Sequence, residues 1–189
     1  MGNFSLKFDK FCETFIKYNG YVKVLEGLKN TLTIAVLGLI IGIVIGTLIA
    51  TARVISQYKV LPRILNKICS FYVALFRGTP IVVQLLVFYY VLLPLMGSRM
   101  TGIQVAVMVF GLNSAAYISE IMRGGIMSVD SGQMEAGRAV GLSFGTTMLK
   151  IVIPQAVKNI LPTMGNELIA LIKDTSVVSF VGATDLYVA

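Results

Sequence analysis

Three stretches of this sequence run without a charged side chain for longer than a soluble fold tolerates. Thr31 to Ala52, Gly78 to Ser98 and Met100 to Ser119 are uncharged throughout. A helix crossing a bilayer needs about 20 mostly apolar residues, and each run supplies them. The second run extends back to about Ile68, with Arg77 as its one interruption. A fourth apolar region, from about Asn159 to Val181, carries Glu167, Lys173 and Asp174. Lipid leaves no backbone group unpaired, and the runs are too long for barrel strands, so all four read as helices. The expected fold is an all-α, multi-pass transmembrane bundle of about four spans, with residues 1–189 as one domain. Only 13% of the 189 residues are charged and 56% are hydrophobic. A soluble domain has about 25% charged residues, so these proportions fit a lipid-facing surface.

Residues 1–30 contain no apolar core long enough for a cleaved signal peptide. They place Phe4, Phe8, Phe11, Phe15, Tyr18, Val22 and Leu25 at helical steps, with Lys7, Lys10, Glu13 and Lys17 between. This pattern predicts an amphipathic helix in the membrane interface. In the first span, Gly38, Gly42, Gly46 and Ala50 recur every four residues. They form a smooth ridge on which another helix can close. Pro80 and Pro162 should each disrupt a helical hydrogen bond.

Net charge is +7, but the basic residues cluster in short loops beside apolar runs. No aromatic-plus-basic surface for nucleic acid is visible. The sequence has no histidine, and Cys12 and Cys69 lack partners at metal-ligand spacing; they read as small apolar fillers. Basic-residue counts do not orient the chain: with residues 53–67 inside, seven inner residues face six outer ones.

Between the third and fourth spans, over residues 119–154, lies a polar segment. Glu135 to Val140 can be helical, Gly141 can stop that helix, Ser143 can cap the next, and Pro154 can mark a new start. Glu135-Ala136, Gly141, Ile151 and Pro154 stand in the register Glu-Ala-Ala, three residues, Gly, nine residues, Ile, any residue, Leu, Pro. Gly137 and Ile153 depart from it conservatively. This pattern resembles the coupling loop of bacterial ABC-importer permeases. The likeness extends through Arg77-Gly78-Thr79-Pro80 with Gln84, Asn113 to Tyr117 with Glu120, Arg123-Gly124-Gly125, Pro154-Gln155-Ala156, Asn166-Glu167 and Lys173 to Ser176. These residues are similar to the polar amino-acid uptake branch of histidine, arginine and glutamine permeases. Members of that family usually carry a fifth span, for which this sequence has no room before Ala189.

The resemblance implies a membrane-spanning, non-catalytic permease subunit of an ATP-driven importer of polar amino acids, in a bacterial cell membrane. It implies a second permease subunit, cytoplasmic ATPase subunits gripping the loop at Glu135, Ala136, Gly141 and Pro154, and an extracytoplasmic amino-acid-binding protein. The loop then faces the cytoplasm. No cofactor is expected in this chain: it lacks a Gly-x4-Gly-Lys-Ser/Thr phosphate loop, and Gly145 to Lys150 misses the second glycine. ATP would be bound by the partner. Ionisable residues inside spans mark a pathway or a pair. Glu167 is a candidate for a substrate ammonium, Asn166, Asn113, Thr79 and Gln84 for neutral hydrogen bonds, and Lys173 for a carboxylate. The same residues could instead glue helices together, and Lys173 could pair with Asp174. A secondary transporter driven by an ion gradient and a non-transporting membrane subunit are the competing functions.

Overall fold

The computed structural model describes residues 6–10, 13–17, 19–54 and 60–187, and among them there is no strand. The first helix, α1, runs unbroken over Gly20–Val54. Its 35 residues exceed the expected span because residues 20–30 continue the same helix. Residues 20–30 therefore do not form a helix separate from the first span. Upstream, residues 6–10 are helical and Glu13–Lys17 forms a π turn. Phe4, Phe11, Cys12 and Tyr18 lie outside the described residues.

The second apolar run is two helices. α2 (Val60–Gly78) meets α3 (Ile81–Leu95) at a bend of 104° across Thr79 and Pro80. Proline has no N–H and biases the residue before it away from helical angles, and Pro80 is extended, with φ −61° and ψ 138°. α4 spans Gly102–Met127 and opens with a capping box, in which Thr101 and Gln104 satisfy each other's backbone N–H.

α1 and α4 are the central pair. They run parallel, and the glycine ridge is the seam. A β-carbon built on Gly38 would lie 3.3 Å from Phe110 Cβ, on Gly42 2.7 Å from Ser114 Oγ, and on Gly46 2.9 Å from the Ala115 carbonyl oxygen. The expected packing ridge is therefore real, and α4 answers it with Gly111, whose β-carbon would lie 2.7 Å from Ile41. By length and apolarity α1 and α4 cross a membrane, and the bent α2–α3 pair makes a third span if taken as one.

The polar segment folds as a hairpin. Asp130 caps α5 (Ser131–Ala139) by accepting the Gly132 N–H at 2.7 Å. Gly141 ends it at φ +88°, with Leu142 N–H to the Gly137 carbonyl and Gly141 N–H to that of Arg138, both 3.1 Å. That is the left-handed closure glycine favours. Ser143 caps α6 (Phe144–Thr147), accepting the Thr146 N–H at 3.2 Å. The two arms touch where Gly137 meets Thr147: a β-carbon there would sit 2.4 Å from Thr147 Cγ2.

A π turn, Met148–Val152, leads directly into α7 (Ile153–Asp174), and a 3-10 segment, Thr175–Val181, follows. Pro154 lies in the first turn of α7 as expected, but the backbone before it is already helical at Val152, so it does not restart the chain after a break. Proline cannot donate to the preceding turn, and the ladder widens ahead of it. The same device recurs in α3, where the π turn Phe88–Leu92 precedes Pro94. Pro162, expected to disrupt its helix, lies inside an unbroken α7.

Candidate functional site

At its broken end α2 leaves carbonyls without helical donors, which lipid-embedded backbone cannot tolerate. Side chains supply them. Gln84 Nε2 donates to the Phe76 carbonyl at 2.8 Å, the Thr79 carbonyl at 3.0 Å and Thr79 Oγ1 at 2.8 Å. Asn113 of α4 donates to Gln84 Oε1 at 3.0 Å and to the Phe76 carbonyl at 3.4 Å. Gln84, Thr79 and Asn113 thus hold the bend open. Replacing Gln84 with leucine should strand these buried groups at a cost of about 2 kcal/mol. A lowered thermal midpoint of the purified protein is the expected signal; a midpoint equal to wild type would dismiss the bend as its role.

The bend opens a cavity of about 440 Å³ between α2, α3, α4 and α7. Its polar lining comprises Arg77, Thr79, Asn113, Tyr117, Glu167 and Asp174. The Arg77 guanidinium lies 5.2 Å from the centroid of the Tyr117 ring, a cation–π distance. Ser114 donates to Glu167 Oε1 at 3.0 Å. Among the described residues no ion pair joins Arg77 to Glu167 or Asp174. One basic and two acidic side chains therefore line the same cavity with no ion pair among them.

The structure brings together Glu167, Asn113 and Thr79 of the expected set. Gln84 is buried behind the bend, does not line the cavity, and is spent on backbone carbonyls. Asn166 and Lys173 are exposed on another face of α7. Lys173 lines a separate pocket of about 340 Å³ with Thr31, Ser176 and Asp185, and no ion pair links it to Asp174 among the described residues. Arg77, Tyr117 and Asp174 are additions to the expected site. Arg77 could have been found as the lone charge inside an apolar run, and Asp174 as the carboxylate seven positions, or two turns, beyond Glu167.

The family model described as binding-protein-dependent transport system inner membrane component matches residues 38–188. The chain belongs to that family. It is 43% identical over 163 residues to the arginine transport system permease protein ArtQ of Bacillus subtilis, covering 86% of this chain and 72% of that one. It is 40% identical over 164 residues to the glutamine transport system permease protein GlnP of Escherichia coli, covering 86% and 73%. A crystal structure of an amino acid ABC transporter with histidines superposes with a TM-score of 0.82 at 37% identity, covering 92% of this chain and 77% of the other.

In this inner membrane component the loop residues fall on one exposed projection. Glu135 and Ala136 are exposed on α5 and Gly141 forms its left-handed end. Val140, Phe144 and Leu149 are 77%, 57% and 66% exposed, an apolar patch on an otherwise polar arm. Pro154 belongs instead to the base of α7, where Gln155 Nε2 donates to Gln133 Oε1 of α5 at 3.2 Å and so braces the arm. At the same end, Glu120 of α4 binds both Arg53 of α1 and Arg123 of α4.

Proposed function

We propose that this chain is the permease subunit of an ATP-driven importer of polar amino acids, and that the cavity beside the α2–α3 bend holds the amino acid. The observation that carries this is the coexistence of Arg77, Glu167 and Asp174 in one cavity with no ion pair among them. Every α-amino acid brings an ammonium and a carboxylate. Arg77, Thr79 and the Tyr117 hydroxyl can receive the carboxylate, and Glu167 and Asp174 the ammonium. With two carboxylates to one guanidinium, a cationic side chain suits the cavity better than a neutral one. Of the amino acids named for the relatives, arginine is cationic and glutamine is polar but neutral; the charge balance of the cavity favours the first. The exposed Ala136–Val140–Phe144 arm is the surface an ATPase subunit would grip, with Glu135 and Gly141 at the joint. A second permease subunit and an external binding protein complete the assembly.

The test is co-reconstitution with the ATPase subunits and the binding protein, scored by uptake of labelled amino acids. Uptake should require ATP and favour cationic over neutral substrates. Glu167→Gln should reduce cationic uptake roughly 10- to 100-fold, as expected for loss of one charge-assisted hydrogen bond, while leaving membrane insertion intact. Normal uptake by this variant would remove Glu167 from the site. Uptake that survives ATP depletion and collapses with an ion gradient would make the chain a secondary transporter instead.

A further inference from the structure

The hairpin end of α2 carries positive charge that the described protein does not neutralise. Residues 53–67 contain four basic side chains and no acidic one. Arg53 is taken by Glu120. Arg63 and Lys67 are exposed and make no ion pair among the described residues. They stand four apart, so they repel each other from adjacent turns of one face. Such a pair calls for an anion from outside.

Alongside runs an apolar stripe. Ile64, Ile68, Phe71 and Leu75 follow steps of four, three and four, which keep them on one side of the helix. They are 49%, 60%, 70% and 50% exposed. Beyond Leu75 the stripe enters an apolar groove of about 340 Å³ at the bend, walled by Val83, Val87, Phe88 and Leu92. Arg63 to Leu75 spans about 18 Å of helix, close to one leaflet's share of the roughly 30 Å hydrocarbon core. Tyr72 donates to the Leu112 carbonyl and Asn113 to that of Phe76, so α2 packs on α4. Arg53 near the end of α1 binds Glu120 of α4, and α2 begins at Val60, six positions after α1 ends at Val54, so its basic start lies towards the end where α4 enters the hairpin.

We infer that this face binds an anionic phospholipid. The phosphate sits between Arg63 and Lys67, and one acyl chain follows Ile64, Ile68 and Phe71 into the groove at the bend. The groove backs onto Gln84 and Thr79, so the lipid supports the wall of the cavity described above from its far side. This site requires only that the chain lie in a bilayer; it does not depend on what is transported.

Native mass spectrometry of the chain, purified with the subunits it retains, tests the site with phosphatidylglycerol and phosphatidylcholine of equal chain length. Wild type should hold phosphatidylglycerol more tightly, and rising salt should erode the difference. R63Q and K67Q should each weaken phosphatidylglycerol binding roughly fivefold, and together roughly 25-fold, with phosphatidylcholine unaffected. Val83→Trp, which fills the groove, should weaken both lipids. Equal retention of the two lipids by wild type, or undiminished phosphatidylglycerol on the double variant, would overturn the site. So would inorganic phosphate displacing phosphatidylglycerol at equal concentration, which would mark a soluble-anion site. Efficient cross-linking of Ile68→Cys to a second copy would show that a subunit covers this face instead.

Discussion

Replacing Gly42 with leucine should keep α1 and α4 from closing and leave little assembled protein in the membrane. The bare β-carbon would already lie 2.7 Å from Ser114 Oγ, 2.8 Å from Ser114 Cβ and 3.1 Å from Ile118 Cδ1. Leucine adds three more carbons where a single one is over-packed. Forcing methylenes into a close-packed seam costs about 1–3 kcal/mol, and here the cost falls at the upper limit or beyond, because both neighbours are fully buried. No hydrophobic effect within the bilayer compensates, since lipid tails solvate the separated faces as well as the partner helix does. The effect should be graded along the ridge. Gly38→Ala meets Phe110 Cβ at 3.3 Å and should cost the least, whereas Gly46→Ala meets the Ala115 carbonyl oxygen at 2.9 Å and should cost more. Gly42→Ala carries a further signature. It displaces Ser114, the donor to Glu167, and should disturb the cavity before it disturbs assembly. Yields and thermal midpoints of the three alanine variants and Gly42→Leu give the measurement. A flat series would mean that the ridge does not set the helix spacing.

How far the sequence foretold this arrangement depends on whether a feature is periodic within one helix or made between helices. The glycine ridge repeats every four residues, and its burial follows from that period alone. The caps at Ser143 and Gly141 were legible for the same reason, because capping is decided by a few adjacent residues. The long extent of α1 was not. Residues 20–30 are amphipathic enough to suggest an interfacial helix, but nothing at residue 30 breaks the backbone. The π turns that precede Pro94 and Pro154 were not legible: Pro94 carried no expectation, and Pro154 read only as a helix start. The cavity was half legible. Glu167 lines the cavity, but its neighbour in sequence, Asn166, points elsewhere because one residue is a 100° turn of the helix. The partner on its own face was Asp174, two turns on. Gln84 was legible as a polar residue in an apolar run, yet its task depends on a bend whose unpaired carbonyls exist only once α2 and α3 have parted.

Replacing Glu120 with alanine should destabilise the assembled protein by about 3 kcal/mol, because it strands two arginines instead of merely losing two bonds. Glu120 accepts from Arg53 of α1 through Oε1 and from Arg123 through Oε2, at 2.7 Å from Nη2 and 3.0 Å from Nε. The side chains of Arg53 and Glu120 are 15% and 17% exposed and that of Arg123 is 35% exposed, so this cluster is only partly solvated. Removing one partner of a buried pair costs about 3–5 kcal/mol, whereas replacing the whole pair with apolar side chains is often neutral; partial exposure places this cluster at the lower end. The Arg53→Met and Glu120→Leu double variant should therefore recover at least half of the loss, leaving Arg123 to reach solvent. For a chain of this length the single variant should melt roughly 6–12 °C lower. The consequence for coupling is local. Arg53 closes α1 and Glu120 lies about two turns before α4 ends at Met127, so their bond ties the first helix to the last turns of the helix that leads into the projecting arm. Glu120→Ala should loosen that tie, and protease sites within residues 129–143 should open before the membrane core melts. A thermal midpoint unchanged from wild type, or a double variant worse than the single, would show that the arginines are solvated independently and that Glu120 holds nothing together.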